Sequence, residues 1–188
     1  MPTPIPRRTT PLPTWNAITL REVRHQLRLP QENNQFDNEL SRLIQVAERT
    51  IQDEQDRVVQ LGTFDWTLDG FPHPRVLRLP TRNAVDPVSI AYIDTAGDPQ
   101  AFTDFTFAGD RVYPQLVTNN VVFPETRFGY AETVVITFDA GSTAAAEVPA
   151  DLQQAILAIV DSLFNNCGDE NFGKAYQALA NRQIATYL

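Results

Sequence analysis

Phe64-Asp65-Trp66-Thr67-Leu68-Asp69 is the stretch that decides the fold class. Apolar and polar residues alternate along it, so it reads as a strand with one buried face and one wet face. Upstream of it the period is helical. From about Asp37 to Val59, the residues Leu40, Leu43, Ile44, Ala47, Ile51 and Val58 recur at the spacing that lines one face of a helix. The other face carries Glu39, Arg42, Glu48, Arg49, Asp53, Glu54, Asp56 and Arg57. Further upstream, Thr19-Leu20-Arg21-Glu22 is a capping box, in which Thr and Glu satisfy the first free backbone donors of a helix. That short helix must stop before Pro30. The change from helical to strand period therefore falls near residue 61.

Downstream, the alternation repeats in short pieces: Val76–Leu79, Val88–Ile93, Ala101–Phe107, Asp110–Val117, Val121–Phe123 and Thr133–Phe138. Thr95-Ala96-Gly97-Asp98 is a turn signal that joins two of them as a hairpin. Strands this short, separated by Gly and Pro, form antiparallel hairpins rather than βαβ units. Helix returns at Pro149, tolerated in a first turn, and Asp151, which complements the N-terminal dipole. Leu152, Ile156, Ile159, Val160, Leu163 and Phe164 make a wide apolar stripe, which Asn165-Asn166-Cys167-Gly168 ends. A last helix is expected over Phe172–Tyr187. At the other terminus, Pro2, Pro4, Pro6, Pro11 and Pro13 preclude helix and favour polyproline-II geometry. The expected fold class is α+β: a small helical bundle, with two N-terminal and two C-terminal helices, carrying an antiparallel, hairpin-rich insertion. The expected parts are an extended arm (1–14), N-terminal helices (15–60), a β-rich insertion (61–140) and C-terminal helices (141–188), with 15–188 one structural domain. An ordered arm needs something to hold it, either its own domain or a neighbouring subunit.

The 188 residues suffice for a sizeable core, burying ~70% of the unfolded surface. No stretch approaches eighteen apolar residues, so no membrane span is expected. Met1 to Arg8 has no apolar segment of the kind a secretory signal needs. The single cysteine, Cys167, excludes an internal disulfide and a cysteine-based zinc site. The net charge of −8 argues against a grip on nucleic acid through phosphate contacts, but not against a channel through which DNA slides. Fourteen of the fifteen basic residues are arginine, which suits planar pairing at protein interfaces. Residues 1–30 hold five of them, Arg7, Arg8, Arg21, Arg24 and Arg28, against one acid, Glu22.

The search for chemistry is mostly negative. His25 stands beside Arg24 and Arg28, and His73 lies between Pro72 and Pro74; neither has a partner at metal-ligand spacing. There is no Gly-rich phosphate loop, and Ser142 has no evident histidine base. Cys167 reads as an inert helix-end thiol. Asp94, Asp98 and Asp104 fit no EF-hand spacing and read as turn residues. Asp53, Glu54 and Asp56 form the densest acid cluster, read as a solvated helix face or the wall of an aqueous channel. No enzyme activity, cofactor or metal is expected. The chain finishes on Tyr187 and Leu188, an apolar end of the kind that docks in grooves.

Taken in order, four stretches resemble the head–tail connector family of tailed bacteriophages, also called adaptor or head-completion proteins, with relatives in gene transfer agents. The first is Ile18–Arg28, similar to the family's opening T-L-x-E-V-K-x-x-L; the second is the long helix Leu40–Arg57. The third, and most specific, is Trp66-Thr67-Leu68-Asp69-Gly70-Phe71-Pro72, followed by Leu77-Arg78-Leu79-Pro80 and Val88–Asp94. The fourth is Val135–Gly141 followed by Val148–Leu157, similar to V-x-F-x-A-G-Y and V-P-x-D-L-K-x-A-I-L. Together they cover about residues 18–166. The family's W-Y-E-N-R end to the third helix is replaced by Leu163-Phe164-Asn165-Asn166-Cys167, and its T-G-R after the long helix by Val58-Val59-Gln60-Leu61-Gly62.

The resemblance implies a virion protein of the neck, made in the host bacterial cytoplasm. It implies a homo-oligomeric ring, usually of twelve copies, beneath the portal. Such a ring extends the DNA channel and offers a landing surface to the next neck or tail protein, without sequence-specific DNA binding and without a membrane. Carried onto this chain, it makes Arg182, Tyr187 and Leu188 portal-contact candidates and Asp53, Glu54 and Asp56 channel-face candidates. Arg7, Arg8, Arg24 and Arg28 become subunit-interface candidates, set to meet the acidic body of a neighbour. The alternatives are another neck protein, such as a stopper or tail-completion protein, or a small β-rich binding module. The module requires aromatics such as Trp66, Tyr92, Phe102 and Phe105 to converge in one groove.

Overall fold

The structure, a computed structural model, describes residues 6–13, 15–32, 34–71, 75–109, 113–119, 121–127 and 132–165. The chain falls into two compact units. One holds residues up to Leu12 and from Leu61 to Gly141; the other holds Pro13–Gln60 and the residues from Ser142 on. The architecture is mixed α+β with antiparallel sheets.

In the helical unit, α1 (Leu20–Gln26) starts at the expected capping box. Thr19 Oγ1 accepts from the Glu22 amide at 3.2 Å, and the Glu22 carboxylate accepts from the Thr19 amide at 2.6 Å. The long helix α2 (Asp37–Gln55) buries Leu40, Ile44, Ala47 and Ile51, the stripe its period predicts. It ends four residues earlier than the apolar spacing suggests, because Asp56 turns left-handed at φ 52°. A short polar side chain tolerates that conformation. Val58 and Val59 are then buried from the loop rather than from the helix. The third helix, α3 (Ala150–Asn165), packs Leu152, Ala155, Ile156, Ile159 and Val160 onto the same core as α2. Phe36 and Phe164 close one end of it edge-to-face, with centroids 5.7 Å apart. The last helix expected over Phe172–Tyr187 lies outside the described residues.

In the β-rich unit, β1 (Arg7–Arg8), β2 (Gly62–Leu68), β4 (Ala84–Ile93), β5 (Pro99–Phe102) and β8 (Val134–Ala140) form a five-stranded sheet in the order β1-β2-β8-β4-β5. A three-stranded sheet orders β3 (Val76–Arg78), β7 (Gln115–Thr118) and β6 (Phe105–Ala108) as β3-β7-β6. Phe64–Leu68 of the alternating stretch make up most of β2, and Asp69 lies just beyond its end. The strand pairs with β8 over seven residues, and both strands alternate strictly between buried and half-buried. Phe64 lies directly across from Phe138, stacked at 6.0 Å, and Trp66 lies across from Ile136. Strand β4 shifts register between Val85 and Val88, around Pro87, whose missing amide donor is best accommodated at such an irregularity.

Some expectations differ. The strand expected over Ala101–Phe107 is broken in two, β5 ending at Phe102 and β6 starting at Phe105, and the two lie in different sheets. Val121–Phe123 is not a strand: Val121 and Val122 are exposed, and Phe123 turns inward. The strand expected over Asp110–Val117 is confined to Gln115–Thr118 among the described residues. The proline-rich arm, expected to be extended and held either by its own domain or by a neighbouring subunit, pairs with the sheet of its own chain: Arg7 faces Asp65 and Arg8 faces Phe64. Thr9 and Thr10 extend the hold, with the Thr9 amide on the Thr63 carbonyl at 2.9 Å and the Thr63 amide on Thr10 Oγ1 at 3.0 Å.

Candidate functional site

The acidic end of α2 is built by the helix itself. Asp53 is exposed and accepts from Arg49 Nε at 3.0 Å, one turn earlier. An exposed pair at this spacing contributes only about 0.3–0.5 kcal/mol. Glu54 lies on the same turn by its backbone, and Asp56 is the left-handed residue that ends the helix. No basic residue occupies that last turn. The Asp53 carboxylate there lies near the negative end of the helix dipole, a local cost of about 0.3–1 kcal/mol.

The four candidate arginines divide into two kinds. Arg24 is a tie within its unit. It pairs with Asp37, donates to Asn34 Oδ1 at 3.1 Å and to the Gln31 carbonyl at 3.2 Å, and its side chain is 11% exposed. It thereby closes the loop between α1 and α2. Arg8 is held in the β-rich unit: Nη2 donates to the Leu61 carbonyl at 2.5 Å, Nε donates to the Thr10 carbonyl at 3.2 Å, and the guanidinium lies over the Phe64 ring at 5.6 Å. Gly62 makes that room, since a Cβ there would stand 2.5 Å from the guanidinium carbon. Arg7 and Arg28, by contrast, point to solvent.

Arg28 ends α1 in an unusual way. The Leu29 amide bonds the Arg24 carbonyl at 2.9 Å and the Arg28 amide bonds the His25 carbonyl at 3.2 Å. That is the Schellman pattern, whose left-handed position glycine normally fills. Here Arg28 fills it, at φ 57°.

The aromatic residues also divide. Trp66 is buried in the β2·β8 core. Tyr92, Phe102 and Phe105 do converge, but on Phe71 and Phe123. Phe71 stacks on Phe123 at 4.5 Å, Phe102 packs on Phe123 at 5.3 Å, Tyr92 meets Phe71 at 6.2 Å, and Phe105 stacks on Phe102 at 6.3 Å. Phe123 is buried among them, and the other four rings are half-buried. Beside them, Val121 and Val122 stand 45% and 52% exposed.

Asp94 is a turn residue, as its context implies. Its Oδ1 accepts from the amides of Ala96, Gly97 and Asp98, each at 2.9 Å, which holds its carboxyl below the usual range. Asp104 accepts from Asn119 Nδ2 at 3.0 Å. Ser142 engages the chain through its backbone, donating to the Val59 carbonyl at 3.1 Å. Among the described residues, no group of three or more His, Cys, Asp or Glu side chains is placed to hold a metal ion. Among them too, no helix is long and apolar enough to cross a membrane. Arg182, Tyr187, Leu188, His73 and Cys167 lie outside the described residues, as does the side chain of Glu54.

One group escaped the sequence reading. Glu48, placed there on the polar face of α2, is 9% exposed. It accepts from the Ala17 amide at 2.8 Å and from Gln60 Nε2 at 3.3 Å. Burial pushes its carboxyl above the usual range, against the smaller opposing effect of the Ala17 hydrogen bond. Its place beside Ala47, one residue off the apolar stripe, is the signal that could have found it.

No family model and no curated protein sequence matches the chain. Solved structures do. The chain resembles a chain of the neck of an empty gene transfer agent particle computed with C6 symmetry, with a TM-score of 0.78, 21% identity, and coverage of 95% of this chain and 94% of that one. It resembles a chain of the virion of a native gene transfer agent particle at TM-score 0.76 and 21% identity, over 95% and 94%. It also resembles a chain of the neck of a native particle computed with C12 symmetry, at TM-score 0.71 and 18% identity, over 95% and 93%. The likeness runs across both units, and it shows that the fold is shared.

Proposed function

We propose that this chain is a structural protein of the neck of a DNA-filled particle: a head–tail connector that forms a ring beneath the portal, extends the DNA channel and joins the head to the next neck or tail protein. The observation that carries this reading is the likeness, over 95% of the chain, to chains from the necks and virion of gene transfer agent particles. Two of those necks were computed with cyclic symmetry, C6 and C12, and a closed ring suits both. The family resemblance of the sequence motifs points the same way.

Charge supports the role. Twelve copies at −8 place about −96 formal charges on one ring, a field that disfavours adhesion of DNA and suits a conduit. In this reading the acidic end of α2, at Asp53, Glu54 and Asp56, faces the channel. Arg7 and Arg28 reach a neighbouring subunit, while Arg8 and Arg24 shape the surfaces that carry them. Arg182, Tyr187 and Leu188 meet the portal. Heterologous contacts close such rings, so the face bearing Arg28 must complement a different face of the next copy.

Negative-stain imaging of the purified chain, with sedimentation of the same sample and co-sedimentation with portal protein, tests the proposal. Rings with a central hole, alone or on the portal, are the expected result. A chain that stays monomeric and ignores the portal overturns it.

A further inference from the structure

The buried carboxylate of Glu48 sits where three segments of the helical unit come together. The chain passes between its two units three times, at Leu12–Pro13, Gln60–Leu61 and Gly141–Ser142. The helical unit's end of each passage is tied to one small polar cluster. The first is held at Ala17, whose amide donates to Glu48 Oε1 at 2.8 Å, and at Trp15, whose carbonyl accepts from Gln60 Nε2. The second is Gln60 itself, whose amide also donates to Glu48 Oε2 at 3.3 Å. The third is Ser142, which pairs with Gln60 in a parallel β-bridge and donates its amide to the Val59 carbonyl at 3.1 Å. Gln60 and Ala17 are buried alongside Glu48, at 7% and 3% exposure.

A buried polar group is costly unless its partners are present, and losing one partner strands the others. The cluster is therefore cooperative by construction. We infer that Glu48 and Gln60 form a three-way clasp, so that the segments leading into and out of the helical unit open as one event and not one at a time. The clasp gives the chain a single point at which all three passages are fixed or released together. It stands independently of the proposed neck role, since every contact in it lies within one unit.

Hydrogen exchange of the full chain tests it. Gln60→Ala leaves the bond between the Ala17 amide and Glu48 in place. The clasp nevertheless requires exchange at Ala17 and at Ser142 to speed up together, by about tenfold or more, and by more than any change at Ile159 in α3. Glu48→Ala is expected to speed Ser142 as well as Ala17, although the hydrogen bonds of Glu48 go to Ala17 and Gln60 and that of the Ser142 amide to Val59. Acceleration confined to residues 58–62 and 142 in Gln60→Ala overturns the inference, as does uniform acceleration that includes Ile159. Should Glu48→Ala fail to fold, Gln60→Ala decides alone.

Discussion

Replacing Arg28 by glycine separates stability from assembly, because the strained backbone and the proposed subunit interface predict opposite signs for the two. Arg28 stands at φ 57° at the end of α1, the left-handed position of a Schellman turn. A residue with a Cβ carries a cost of about 1–2 kcal/mol there. Glycine removes that strain but adds about 0.5–1 kcal/mol of unfolded-chain freedom. The two turn bonds are both made by backbone amides, so the substitution keeps them. The Arg28 side chain is exposed, and no side-chain hydrogen bond or ion pair joins it to another described residue. The net expectation is a gain of about 0.5–1 kcal/mol, or a rise in Tm of about 1–4 °C for a chain of this size. Assembly should move the other way. If Arg28 meets an acidic neighbour in the ring, Arg28→Gly weakens ring or portal association in sedimentation while the monomer melts higher. A lower Tm would refute the strain account of Arg28. Unchanged sedimentation would remove Arg28 from the interface.

Other outcomes follow from the same contacts. Arg24→Met should cost about 1–3 kcal/mol in denaturant unfolding, because it strands Asp37 and frees the loop between the first two helices; an unchanged midpoint would show the tie to be idle. Ile44→Ala should cost about 2–5 kcal/mol, since Ile44 is fully buried against α3, and thermal melting reads it. Gly62→Ala should push the Arg8 guanidinium off the Leu61 carbonyl and the Phe64 ring. Faster hydrogen exchange at residues 8–10 is the expected sign, with little change in the helical unit. For Glu48, the folded pKa is raised by burial, so the native state holds this proton more tightly than the unfolded chain. Its contribution is most favourable below the unfolded value of about 4.3 and declines as pH rises through the folded pKa. Glu48→Gln should flatten that decline in a pH series of unfolding midpoints; an unaltered slope would count against it.

Much of the fold was legible because its periods are clean. The alternation in Phe64–Asp69 became the central strand pairing, and the stripe from Leu40 to Ile51 became the face of α2 that meets α3. The turn at Thr95–Asp98 and the capping box at Thr19 carry their chemistry in residue type, and both formed. Where the reading failed, a tertiary contact outweighed a local pattern. Val121–Val122–Phe123 has the composition of a strand, but Phe123 is drawn into the ring cluster around Phe71 and Phe102. Val58 continues the helical spacing, yet Asp56 ends the helix and turns the following valines inward by another route. The arm's prolines make it extended but do not say what holds it, and the choice left open falls to Arg8, which with Gly62 beneath it docks the segment on the sheet edge. No rule of local spacing links residue 8 to residue 62.

The candidate surfaces were harder to read for a related reason. Charge alone grouped Arg7, Arg8, Arg24 and Arg28, and only the packing separates two internal ties from two exposed cations. What remains after that separation is a short set of places where the chain breaks its own local rules. Arg28 occupies a glycine position, carboxylates crowd the wrong end of α2, and Val121 and Val122 stand in solvent. Each carries a local cost, and a chain whose elements otherwise agree from period to packing concentrates such departures where something other than its own stability selects them. Arg28, Asp53, Val121 and Val122 are all exposed, so such selection acts through contact with something outside the chain, and these are the positions at which substitution tests the proposed neck role most directly.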